Sequence, residues 1–261
     1  MQGLRGLNKG KAGGLQADSL DLFIKLARNP NRGKKKKTQF ANKRKTMAHF
    51  FTSIANGEVP DKIGRILRTT YLVALQKDPD DLSKLRPLGV PSAIRRITAV
   101  LLLMSYRSRF AEHLLPFNYA IGVNGGIDMI TNTVRLGVDK FIKMEEQNNQ
   151  LPTRALVSLD IRNMFNEISR QKLREIIEKK YPELQSFADL LYEQNGKTGV
   201  KMADGSWNYI PVQEGFSQGC PMSPVFAALV LGELLQEMDT HFRLKAASRL
   251  SQGAPMDYSP M

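Results

Sequence analysis

Two stretches of this chain read as paired strands, and what separates them limits the fold. "LRTTYLVALQK" is apolar and β-branched, "DPDD" turns, and "LRPLGVP" returns, which predicts a strand ending at Lys77 and its hairpin partner. "VKMADGSWNYI" predicts a second hairpin near 198–212, with Asp204-Gly205 at the turn. Between them lie helix-period segments, not a strict alternation of strand and helix. Residues 46–56 read as a helix stopped by Gly57 and Pro60, 93–115 as an apolar helix, and Ser169–Lys180 as a helix with Leu173, Ile176 and Ile177 on one face. A short amphipathic helix is expected at Leu20–Ala27, and "EGFSQGCPMSP" leads into a long helix capped by Ser223 with Pro224 in its first turn. No internal repeat is present. The pattern predicts an α+β fold.

Charge narrows the partners. Residues 1–50 hold 13 Lys/Arg and two Asp, so most of the net +13 sits in the first fifth of the chain. Lys34, Lys35, Lys36 and Lys37, then Lys43, Arg44 and Lys45, read as a solvated basic loop, a phosphate-contacting surface or a nuclear-import signal, and these readings are compatible. Nucleic acid is the first expectation and an acidic membrane surface the second. The single cysteine, Cys220, excludes an internal disulfide and a multi-cysteine zinc site, and the three scattered histidines argue against a His-based metal centre. The longest apolar stretch, near Val100–Met104, is too short to span a bilayer, so no membrane partner is expected. The N-terminus has no secretory pattern, and an intracellular location, the nucleus included, is expected.

The segment "LVSLDIRNMFNEISR" carries the chemistry. Leu156–Leu159 reads as a buried strand ending on Asp160. A bare carboxylate there costs several kcal/mol unless something pairs with it. Asp160 can serve as a helix cap or turn residue, or as a hard-oxygen ligand for Mg²⁺. Two-metal phosphoryl transfer needs at least one further carboxylate beside it. Phe165 packs in a core by default; beside a metal-bound nucleotide, a rigid ring would exclude a 2′-hydroxyl. Gln218, 58 residues after Asp160, offers a donor and an acceptor, and Gly219 allows close backbone approach, though a plain loop before a helix has the same composition. Lys84 and Arg86 fall two apart in a strand, an exposed face or a triphosphate clamp. Arg95 and Arg96 read as surface charges or nucleic-acid backbone contacts.

The order "LRPLGVPSAIRRI", "ALVSLDIRNMFNEIS", "EGFSQGCPMSP" resembles the reverse transcriptases of non-LTR retrotransposons and, more distantly, group II intron maturases, over roughly residues 50–240. The resemblance implies a right-hand polymerase with fingers and a partial palm and no thumb. It divides the chain into a basic segment 1–48, a fingers-like region 49–150 and a partial palm 151–261. It implies that Asp160 binds both of two Mg²⁺ ions, with Mn²⁺ the alternative metal, and that Ile161 offers its carbonyl to them. Phe165 would be the sugar gate. Lys77, Lys84, Arg86, Gln218 and Gly219 would hold the deoxynucleoside triphosphate, and Arg95, Arg96 and the Lys34–Lys37 run would hold an RNA template and DNA primer. The family's paired aspartates have no counterpart after Gln218, and the sequence closes on "GAPMDYSPM" with the single Asp257. A reading frame stopping short of that motif is therefore expected, with little polymerase activity of its own. A non-catalytic nucleic-acid-binding remnant is the alternative; an RNA-dependent RNA polymerase is disfavoured by Phe165.

Overall fold

The computed structural model describes residues 34–147, 156–194 and 196–251. The helix expected at Leu20–Ala27 lies outside them. The described chain forms two compact units, one from residues up to 106 together with 164–230, the other from 107–163 together with 231 onward.

In the first unit, α1 (Lys34–Ala55) is longer than expected and includes the basic run. Lys, Arg, Gln and Ala are all good helix formers, so the expected loop is replaced by helix, anchored at its far end by buried Phe51 and Ile54. Gly57, at φ 72°, closes it. A helix absent from the sequence reading follows, α2 (Asp61–Arg68). Its signal was present: Pro60 before an acidic first turn, then apolar residues at helical spacing.

The hairpin of β1 (Thr69–Asp78) and β2 (Asp81–Pro91) forms as expected, antiparallel, with Tyr71 opposite Val90 and Leu72 opposite Gly89. The second hairpin, β3 (Gly196–Lys201) and β4 (Trp207–Val212), turns at Gly205, and Asp204 accepts hydrogen bonds from the amide and hydroxyl of Ser206. These bonds hold the Asp204 carboxyl below its usual range. The hairpins join through a parallel β1–β3 pair into one mixed sheet of order β2-β1-β3-β4.

The helices α3 (Ala93–Leu114), α6 (Arg170–Lys180), α7 (Gln185–Tyr192) and α8 (Ser223–Ser251) supply the rest of this unit's core, α3 only through Tyr106 and α8 only through Val230, while the single turn α5 (Met164–Glu167) buries none of its residues. Ser169 caps α6 by accepting from the Lys172 amide, and Leu173, Ile176 and Ile177 are buried as their spacing predicted. Tyr192, Phe216 and Phe226 meet edge to face, with centroids 5.1 to 6.1 Å apart.

The second unit contains α4 (Gly126–Gln147). Gly126 is buried where a Cβ would strike the carbonyl of Tyr119, and Asn118 folds the preceding turn by accepting from the amides of Ala120 and Ile121. The strand expected at Leu156–Leu159 is not formed. These residues lie in no regular element, with Val157 72% and Leu159 81% exposed. An apolar run becomes a strand only where a neighbour accepts its ladder, and no described residue pairs with it.

Two loop glycines give a test of backbone constraint. Both Gly205 and Gly215 have left-handed φ, but a Cβ at Gly205 meets nothing within 4 Å while one at Gly215 strikes the carbonyls of Asn166 and Phe165. Gly205→Ala is expected to cost about 1–2 kcal/mol and Gly215→Ala clearly more, by urea unfolding; equal costs would contradict the close approach.

Candidate functional site

Strand alternation puts Thr70 and Leu72 of β1, Pro87 and Gly89 of β2, and Thr198 of β3 on one face of the sheet. That face floors a cavity of about 220 Å³. Its roof is the segment 214–218, and glycine brings the roof down onto the floor. The Gly219 amide donates to the Gly89 carbonyl at 3.1 Å, and the Ser217 hydroxyl donates to the same oxygen at 2.8 Å. A Cβ on Gly219 would strike that carbonyl. The Phe216 amide donates to the Phe165 carbonyl at 2.6 Å, tying the roof to α5. Gln218, half-buried, lines the cavity beside Ser217.

Three buried guanidiniums border this space: Arg68, Arg95 and Arg170. Arg170 donates from Nε to the Gly215 carbonyl at 2.9 Å and from Nη1 to Val212 at 3.1 Å, while its amide donates to Glu214. Arg95 donates to the Leu67 carbonyl and, at 3.1 Å, to the Tyr192 hydroxyl; its Nε has no hydrogen-bond partner among the described residues. Both lie over the Tyr192 ring, at 5.6 Å for Arg95 and 5.1 Å for Arg170. Arg68 donates to the Leu190 carbonyl and to Gln194. Burial pushes the Tyr192 phenol up, keeping it neutral, and lowers Arg170 from its ordinary value. Neither Arg68, Arg170 nor Tyr192 was singled out by the sequence. One signal was legible: an arginine directly after the Ser169 cap sits where the helix dipole disfavours a cation, so carbonyls must be holding it.

The expected site residues are placed as follows. Arg95 corrects the reading of a surface phosphate contact: it is 2% exposed, and its two terminal nitrogens donate inside the protein. Arg96 is half-buried beside it. Phe165 is half-buried in α5, and Gln218 and Gly219 are in the roof. Lys77 is in β1, Lys84 and Arg86 are in β2, and Lys34, Lys35, Lys36 and Lys37 open α1, but all these side chains lie outside those described. The structure therefore brings Gln218 and Gly219 together with β2 at Gly89.

Asp160 belongs to the second unit. Its carboxylate is exposed, and among the described residues no hydrogen bond or ion pair engages it. Ile161 beside it is 50% exposed, and Asn163 turns the chain at φ 53°. A free carboxylate is a hard-oxygen donor of the type Mg²⁺ takes. It fits one ligand position only: no group of three His, Cys, Asp or Glu that could hold a metal occurs among the described residues.

Residues 75–252 match the family model described as reverse transcriptase (RNA-dependent DNA polymerase), which covers more than half of the chain. No curated protein matches it.

Tyr192→Phe tests the buried cluster. It leaves an Arg95 nitrogen without its acceptor, so a loss of about 1–3 kcal/mol is expected in denaturant unfolding at neutral pH. Because the phenol's folded value is raised, its contribution is full below the unfolded value and fades as pH rises through the folded one. The wild type should therefore lose its advantage over Tyr192→Phe at alkaline pH; a constant gap would contradict the assignment.

Proposed function

The chain belongs to the reverse transcriptase family, and we propose that it is the fingers and part of the palm of an RNA-templated DNA polymerase of the non-LTR or group II intron kind. The family match over residues 75–252, which contains the three ordered motif blocks, carries this reading. In the reaction proposed, a primer 3′-hydroxyl attacks the α-phosphorus of a deoxynucleoside triphosphate. The new P–O bond replaces the one to the leaving pyrophosphate.

Asp160 is assigned as a metal ligand, with Ile161 contributing its carbonyl; its carboxylate, exposed and unengaged among the described residues, supports that role. Mg²⁺, when bound, supplies charge stabilisation for the attacking and leaving oxygens. Gln218 and Gly219 shape the nucleotide pocket, and the hydrogen bonds anchoring their loop to Gly89 support a fixed position for it. Phe165 is assigned as the sugar gate, and Lys77, Lys84 and Arg86 as contacts to the triphosphate. Arg96 and the basic start of α1 hold nucleic-acid backbone by charge, positioning it without reading sequence. The adjacent aspartate pair of the family has no counterpart after Gln218, so little polymerase activity is assigned to residues 1–261 by themselves.

Two measurements test this. Mg²⁺-dependent binding of a deoxynucleoside triphosphate to the chain on an RNA–DNA primer-template should weaken about tenfold or more in Asp160→Asn, as loss of a charged partner requires. Unchanged binding would remove Asp160 from the site. Primer extension by residues 1–261 should stay near background, and robust synthesis would overturn that assignment.

A further inference from the structure

The face of the sheet opposite the cavity has its own chemistry. Tyr71 of β1 stands opposite Gly199 of β3, and Gly199 stands opposite Tyr209 of β4. A Cβ on Gly199 would come within 3.0 Å of the Tyr71 ring and 3.1 Å of the Tyr209 ring, so the two rings close over the glycine. Trp207, two places before Tyr209 and therefore on the same face, meets Tyr71 edge-on with centroids 5.3 Å apart. Alternation adds Val73 and Leu75 from β1 and Lys197 and Lys201 from β3.

This face is open. Tyr209 is 46% exposed, Val73 43% and Leu75 44%, and both lysines are exposed. No Asp or Glu occupies an outward position among residues 69–75, 197–201 and 207–211. Aromatic cover over a strand glycine stabilises a sheet, which accounts for the rings touching Gly199. It does not account for a half-exposed tyrosine next to two lysines with no acid among them. Exposed rings flanked by cations, on a flat β-surface, suit unpaired bases and their phosphates: every base has a π-face to stack, and the lysines attract the backbone.

We propose that this sheet face is a stacking platform for single-stranded nucleic acid, with bases on Tyr209 and Trp207 and phosphates at Lys197 and Lys201. The choice of nucleic acid over another anionic partner rests on the reverse transcriptase reading. The charge pattern favours it independently over a protein partner, because across β1, β3 and β4 this face presents lysines and no acid to pair with a protein's cationic groups.

Trp207 is the single tryptophan of the chain, so its emission reports on the platform directly. The full chain is titrated with a labelled 12-nucleotide oligouridylate, following anisotropy and Trp207 emission together, and then with the DNA of the same length. Emission should be quenched in step with binding for both. Tyr209→Leu keeps apolar cover over Gly199 but removes the π-face, and should weaken binding about fivefold or more, whereas Tyr209→Phe should stay within about twofold. Lys197→Ala and Lys201→Ala, which leave the aromatic packing in place, should each reduce the slope of log affinity against log salt by about 0.7. Binding that leaves Trp207 emission unchanged and ignores all three sites would overturn the platform and leave the family reading standing. Failure to bind either strand or a primer-template at low salt would overturn both. Quenching that follows self-association, without oligonucleotide, would assign the face to a second copy of the chain and overturn the proposal.

Discussion

Tyr192 makes two buried cations tolerable, and the first unit depends on it. Removing a guanidinium from water is expensive unless its donors are satisfied. Arg95 gives one hydrogen bond to the Tyr192 hydroxyl and lies over its ring, and Arg170 lies over the same ring. Other donors of the pair reach carbonyls of Leu67, Val212 and Gly215, which belong to segments far apart in sequence. The cluster thus ties the end of α2, the start of α3 and the roof of the cavity to one aromatic side chain, which the Phe216 and Phe226 rings in turn pack against.

Local and cluster constraints act together on the roof. The Gly219 amide and Ser217 hydroxyl converge on the Gly89 carbonyl, fixing the loop to the β1–β2 hairpin. Gly215 accepts a close carbonyl approach that a side chain would forbid. A loop held at both ends can present Gln218 at a constant height above the sheet, which the nucleotide pocket proposed for it would require. The two faces of the sheet then divide the work proposed for it. One is roofed and lined by buried arginines; the other is open, aromatic and basic.

Elements set by local rules were legible in the sequence. Both hairpins follow from turn chemistry and alternation, and α6 follows from its Ser169 cap and the spacing of Leu173, Ile176 and Ile177. What was hidden is non-local. Leu156–Leu159 carries the residues of a strand, yet strand formation is decided by a partner elsewhere, and those residues lie exposed. Arg95 has the same composition-level signal as a surface arginine; only the meeting of α3 with Tyr192, 97 residues away in sequence, shows that it is interior. The basic run before Thr38 has both the charge of a solvated loop and the helix propensity of lysine, and the helix that buries Phe51 and Ile54 extends through it. For the site, motif order marked Gln218 and Gly219, but not the arginine that holds their loop.

The central claim is that Arg170 and Tyr192 hold the Gln218 loop on the sheet. Hydrogen exchange at the Phe216 and Gly219 amides, compared between the wild type and Arg170→Met, tests it most directly, with the β3–β4 amides as the internal reference. The account predicts that protection at Phe216 and Gly219 falls by about tenfold or more, the effect of losing charge-assisted bonds, while the hairpin amides keep theirs. Undiminished protection at both amides in a folded Arg170→Met protein would contradict it.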